Sequence, residues 1–271
     1  MYIRVFTTTY DNDRMLERNI RTLLESDLTE HDYDIYVINN YGTLTIPDQP
    51  RVTVLDNNLR PDFSTGHLSR NWNQALMLGF EDLKDPACTY VVCTQNDAVF
   101  KPEWVKSLHQ LHQEFDLVTF GAGDEFHSYT PQAVIRIGMW DERFCNLGFH
   151  VADQWLRALI YHRERSSIND QHHGRAWNPR ANRIIDRVPV GWERKEPSHV
   201  VARRYNKFTR HLFSKKWRGL QPNAWNTAAL HKWLPQGPAL PEYVLYPYFE
   251  KDIDFSDKNY VIPHPTYFQE Q

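Results

Sequence analysis

Residues 89–97 read TYVVCTQND. A run of Tyr, Val, Cys and Thr without polar alternation predicts a strand covered on both faces, the position of a central strand in a parallel sheet. It stops abruptly at Gln95-Asn96-Asp97. In open α/β sheets ligands bind at the carboxyl ends of the strands, so these three polar residues mark a candidate site.

Working outward, the segments on either side have the rhythm such a sheet requires. Tyr2–Thr9 (YIRVFTTT) is β-branched and aromatic and ends at the polar YDND, which predicts a first strand. Met15, Ile20, Leu23 and Leu24 recur near helical spacing and predict a helix over 14–24. DYDIYVINNYG predicts a second strand ending at Asn39-Asn40, and residues 51–55 a third. Leu68, Trp72, Ala75, Leu76, Gly79, Phe80 and Leu83 form one stripe, which predicts a helix over about 67–83. Beyond the opening stretch, a helix starting near Pro102 and a strand over 116–120 lead into a GAGDEF loop. Strands alternating with helices predict an α/β protein with an open, mostly parallel, Rossmann-like sheet flanked by helices.

Residues 1–185 are therefore expected to form one α/β domain with its ligand site at the strand ends. From Asp186 to Leu220 ten Lys and Arg stand against three acids, and Gln221–Gln271 is rich in Pro and aromatics. Residues 186–271 are expected to form a C-terminal appendage, helical over 198–217 and then extended. Three readings of its basic run stay open: peripheral contact with an anionic membrane, contact with an acidic glycan, or a solvated face.

A net charge of −3 with 24% charged residues gives no global attraction to nucleic acid. No run of 18 apolar residues occurs, and MYIRVFTTTYDND lacks the order of a signal peptide, so a cytoplasmic protein is expected. Cys88, Cys93 and Cys145 lack zinc spacing and are odd in number, which argues against a disulfide framework. Neither Gly-x-Gly-x-x-Gly nor a P-loop is present, so a phosphate group needs another device.

The order of these pieces resembles the nucleotide-sugar glycosyltransferases of the A-type fold (GT-A), family 2 among them, from the N-terminus to about residue 179. TTTYDND is similar to that family's first strand end, which implies that Thr8 and Tyr10 contact a uracil-type base. In VINNYGT, Asn39 and Asn40 stand where the family carries an Asp for base or ribose. STGHLSRNWNQAL resembles the loop and helix start that place an Arg, here Arg70, at the diphosphate. TQNDAVFKP occupies the place of the acidic metal motif, with Asn96 beside the donor and Asp97 as its one acid. WDERF and the later LRA resemble the acceptor-side segment, where the family's acid falls on Val151.

The resemblance implies transfer of a sugar from a UDP- or GDP-type donor to a glycan or lipid-linked acceptor, with Mn2+ or Mg2+ and inversion. A hard cation bridging phosphates prefers oxygen ligands, which suits Asp97; a cap on the following turn is the alternative. His173 is a candidate second metal ligand, or a loop histidine bonded to backbone. Asp153 is the expected base and His150 the other candidate, three residues apart on one helix face; an ion pair with Arg157 is the structural alternative for Asp153. Asp141 and Glu142 are expected to bind acceptor hydroxyls, unless Asp141 caps a turn. Trp140 is expected to stack on a pyranose, unless it belongs to the core. Arg70 is a diphosphate ligand or an ordinary surface arginine. Two further function classes remain: a nucleotidyltransferase, for which TTTYDND lacks the Gly-rich basic loop, and a non-catalytic glycan- or nucleotide-binding derivative.

Overall fold

The computed structural model describes residues 1–40, 43–46, 48–57, 68–119, 125–144, 149–154, 157–158, 184–187 and 206–217. Strands β1 (Tyr2–Thr9), β2 (Asp32–Asn39), β3 (Val52–Asp56), β4 (Tyr90–Gln95), β6 (Leu117–Thr119) and β7 (Phe126–Tyr129) form one sheet in the order β3-β2-β1-β4-β7-β6. β1, β2, β3 and β4 are parallel, whereas β7 runs antiparallel to both β4 and β6. A second, two-stranded sheet pairs β5 (Ala98–Phe100) with β8 (Ile185–Arg187). Chain order changes direction between β1 and β4, the kind of switch point at which α/β sheets open a crevice.

Period-2 alternation sends the strands' side chains into two cores. Phe6, Ile38, Val91 and Cys93 point to one face, with helix α2 (Leu68–Phe80), α4 (Pro131–Ile137) and the segment beyond it. Ile3, Val5, Ile35 and Val92 point to the other, with α3 (Trp104–His112). Helix α1 (Asp13–Leu24) packs Leu16 and Ile20 on Val37 and starts at Asn12, whose side chain accepts from Met15 N.

Burial covers both faces of β4, as a central strand requires, with Tyr90–Thr94 all enclosed. α2 stops at Phe80, short of the expected 83, because Glu81 takes a left-handed conformation (φ 62°) and its carboxylate is held by Arg4 Nη1 at 2.7 Å. β7, from the end of the GAGDEF segment, and α4 occupy residues for which the sequence predicts no element. FHSY is buried at every position and so shows no alternation, and α4 is a short helix started by the Thr130 side chain and Pro131 and ended at Gly138 (φ 89°).

The division expected between residues 185 and 186 falls inside β8, which pairs with the strand that follows Asp97. Within the basic region, Asn206–Lys216 forms helix α5. Leu212, Phe213 and Trp217 join the same core as α2, with Phe213 beside Phe144 and Phe149 at centroid distances of 6.1 and 5.3 Å. Lys207, Arg210 and His211 face outward. The extended tail expected over 221–271 lies outside the described residues. Among the described residues no helix is long and apolar enough to cross a membrane.

Candidate active site at the strand ends

Register brings the polar strand ends into one row. Thr8 stands opposite Gln95, Thr9 opposite Asn39, and Asn39 opposite Asp56, so β4, β1, β2 and β3 deliver their last residues to one edge. Hydrogen bonds tie the row crosswise. Asn96 N donates to Thr8 O at 3.1 Å and Asn96 Nδ2 to Thr9 Oγ1 at 2.9 Å. Asn40 N donates to Thr9 O at 3.1 Å, and the buried Asn39 gives its Nδ2 to Asp56 Oδ1 at 2.8 Å. The Thr8 hydroxyl donates to Thr94 O, and Tyr10 follows the end of β1 half-buried. Thr8, Tyr10, Asn39, Asn40, Asn96 and Asp97 thus share the carboxyl edge of the parallel strands.

Asp97 is buried in the turn between β4 and β5. Among the described residues no three His, Cys, Asp or Glu side chains gather as a metal cage. A cation that bridges a diphosphate does not need one, because Mg2+ is commonly held by one or two carboxylates together with substrate phosphates. A single strand-end carboxylate fits that chemistry. His173 lies outside the described residues.

α2 begins at this same edge, since it connects the parallel strands β3 and β4. Arg70, in its first turn, gives Nε to Glu142 Oε2 at 2.9 Å. Asn73, on the same helix, donates from Nδ2 to Glu142 Oε1 and to Trp140 O, and accepts from Trp140 N at 2.8 Å. Helix α2 is therefore stitched to residues 140–142 through Glu142. Ser69 Oγ and Asn71 Oδ1, both buried beside Arg70, have no hydrogen-bond partner among the described residues.

Trp140, expected as an open sugar platform, is fully enclosed instead. Its Nε1 donates to Tyr129 Oη at 3.0 Å, and its ring lies against His127 and His150 at 5.0 and 5.5 Å. No face is left to stack on a pyranose, so Trp140 belongs to the core, the alternative open in the sequence. His150 is buried in the helical residues 149–154, next to the equally buried Val151.

Asp141 and Asp153 flank one buried ammonium. Lys216 Nζ, at the end of α5, lies 2.8 Å from Asp141 Oδ2 and 2.7 Å from Asp153 Oδ1. Arg143 grips Asp141 in a bidentate fork, at 2.8 Å from Nε and 2.6 Å from Nη2. Burial works to raise the Asp141 pKa, but the Lys216 and Arg143 cations overcome it and hold the carboxyl well below the usual range. Asp141 also accepts Arg143 N and, through its carbonyl, Phe144 N, the turn-capping role that the sequence left as an alternative.

Asp153 accepts from Arg157 Nε at 3.1 Å and from Trp217 Nε1 at 2.9 Å, with no exposed surface. Arg157 in turn donates to the carbonyls of Ile137 and Met139. A base must offer a free lone pair to a substrate hydroxyl. Asp153 faces three donors on its two oxygens, among them Arg157 in the ion pair that is the structural alternative to a base. Lys216, Trp217 and Asn73 are the site residues that sequence reading missed. Lys216 and Trp217 sat within a basic stretch read for its surface charge, and Asn73 was hidden in an apolar stripe.

The chain has the α/β fold of the A-type nucleotide-sugar glycosyltransferases. Among solved structures it is similar to the mannosyltransferase PcManGT from Pyrobaculum calidifontis in complex with GDP-Man and Mn2+, with a TM-score of 0.50 and 14% identity over 85% of this chain and 68% of that one. TarS from S. aureus aligns with a TM-score of 0.41 and 12% identity over 58% of this chain and 34% of TarS. The TarS 1–349 fragment in complex with UDP aligns at 0.41 and 13% over 58% and 56%. No family model and no curated protein matches the sequence.

Proposed function

We propose that this protein is a glycosyltransferase that moves a sugar from a UDP- or GDP-type donor to a glycan or lipid-linked acceptor, with inversion. The observation that carries the reading is the row of cross-bonded strand ends running from Asp56 through Asn39 and Thr9 to Asn96 and Asp97, beside the acceptor-side segment. The base would sit toward β2 and β3 and the diphosphate at the Asp97 turn. GDP-Man and Mn2+ on the similar mannosyltransferase support a donor of this class.

Asp97 would hold a divalent cation, which when bound neutralises the departing diphosphate. Ser69, at the start of α2, has a hydroxyl to offer a phosphate or sugar oxygen, and Arg70 adds positive charge while tethered to Glu142. Because Asp141 and Asp153 are committed to Lys216, His150 takes the role of base, accepting the acceptor's hydroxyl proton as that oxygen bonds to the anomeric carbon.

The test is thermal stabilisation by UDP, GDP, ADP and CDP with and without Mn2+. UDP or GDP should raise Tm in a metal-dependent way, and Asp97→Ala should remove the metal dependence. Absence of stabilisation by every nucleotide would sink the proposal. One observation favours a second reading, a non-catalytic binding derivative: Val151 and the enclosed Asp153 leave the acceptor-side segment without an available carboxylate. Metal-dependent nucleotide binding with no turnover of any sugar nucleotide would decide for it.

A further inference from the structure

We infer that Asn19, in the middle of α1 and far from the strand ends in sequence, is the positioning residue that sets the Gln95–Ala98 turn and so aims Asp97. Asn19 is completely buried, and its amide is used on both ends. Oδ1 accepts from Thr7 Oγ1 at 2.9 Å, which fixes which way the amide points. Nδ2 then donates to Ala98 O at 2.8 Å and to Gln95 O at 3.4 Å, the two carbonyls that bracket Asn96 and Asp97. One turn further along α1, Thr22 Oγ1 accepts from Phe100 N at 3.1 Å, so the same helix also holds the far end of β5.

Further restraints on this turn come from the side of the sheet: Asn96 N on Thr8 O, Asn96 Nδ2 on Thr9 Oγ1, and Gln95 N on Glu125 O. Asn19 opposes them from the helix layer. A turn held from two layers keeps its carboxylate in place without relying on the ligand to order it, and preorganisation of this kind lowers the cost of binding. No other residue type has both an acceptor for Thr7 and a two-pronged donor in a side chain this short.

The consequence for ligand binding rests on the reading of the Asp97 turn as the metal and diphosphate site; the effect on the turn itself does not. Asn19→Asp preserves shape but turns the Nδ2 donor into an acceptor facing two carbonyls. In that variant, hydrogen–deuterium exchange should quicken at least tenfold at the amides of Asn96–Ala98 while the middle of α1 stays protected. The affinity for Mn2+ with whichever of UDP or GDP stabilises the wild type should fall at least tenfold, and metal-free nucleotide binding should change less. Should Asn19→Asp fail to fold, Thr7→Val removes the hydroxyl that orients the amide at constant shape and should quicken the same amides several-fold. Unchanged exchange at Asn96–Ala98 in the folded variant overturns the inference. A wild type that binds neither nucleotide overturns the proposed function instead, and leaves the exchange measurement to decide on Asn19.

Discussion

Lys216 Nζ lies 2.7 Å from Asp153 Oδ1, and both side chains are buried. This contact joins the last turn of α5 to the acceptor-side segment, and Asp141 closes the bridge from the other side. Removing one member of a buried ion pair leaves an uncompensated charge. Lys216→Met should therefore lower stability by about 3 kcal/mol, with Arg143 and Arg157 limiting the loss. Urea unfolding of the purified variant measures it, and a change below about 1 kcal/mol would show that the bridge is not what holds α5.

The bases can be separated by what each substitution damages. Asp153→Asn should chiefly lower stability, because it strips charge from a site with three donors. His150→Gln should leave donor binding intact and cut transfer by about a hundredfold or more, the usual worth of a general base. Transfer retained in His150→Gln, measured with any acceptor found, would return the role to another group.

Packing of α2 on the sheet depends on Gly79. A Cβ there would meet Val91 Cγ2 at 2.3 Å and Phe6 Cε2 at 3.2 Å, inside a core with no room to yield. Gly79→Ala should cost about 1–3 kcal/mol despite the better helix propensity of alanine. Thermal unfolding decides it; an unchanged or higher Tm would mean the helix can slide.

Acid should weaken the fold in two separate windows. His112 bonds Phe115 O through Nδ1 and Ser128 Oγ through Nε2, and burial pushes its pKa down to about 4. Because the unfolded chain binds this proton more readily, stability is full above the ordinary histidine pKa near 6.5 and is lost as pH falls from there toward 4. The loss is on the order of 2–3 kcal/mol. Asp141, held low by Lys216 and Arg143, contributes only a further loss below the ordinary carboxylate range. Denaturant midpoints at pH 7.5, 6, 5 and 4 for wild type and His112→Gln should separate the windows, the first step vanishing in the variant.

What could be read from the sequence follows the range of the forces involved. β1, β2 and β4 announce themselves because a buried strand must be apolar along its own length. The polar edge is equally local, since Asn39, Asn40, Asn96 and Asp97 each end a run that precedes them. β7 escaped because four residues buried on both faces have no period to detect. The start of α3 is legible near Pro102 but its cap is not: the amides at Val105 and Lys106 are capped by Asp27, a residue of a different connection. The same holds for Asn19 and Lys216, whose partners come from distant parts of the chain. For Asp153 the Arg157 pair is a sequence-local signal, while its burial and its further donors depend on how α5 docks.

The docking of α5 also bears on how this protein meets charged surfaces. Leu212, Phe213 and Trp217 are already enclosed, and Lys207, Arg210 and His211 stand outside. With those three apolar residues committed to the core, the exposed cations can draw α5 to an anionic surface by long-range attraction. Such adhesion fades once salt shortens the Debye length to a few ångström, and a wash at about 1 M ionic strength would release it.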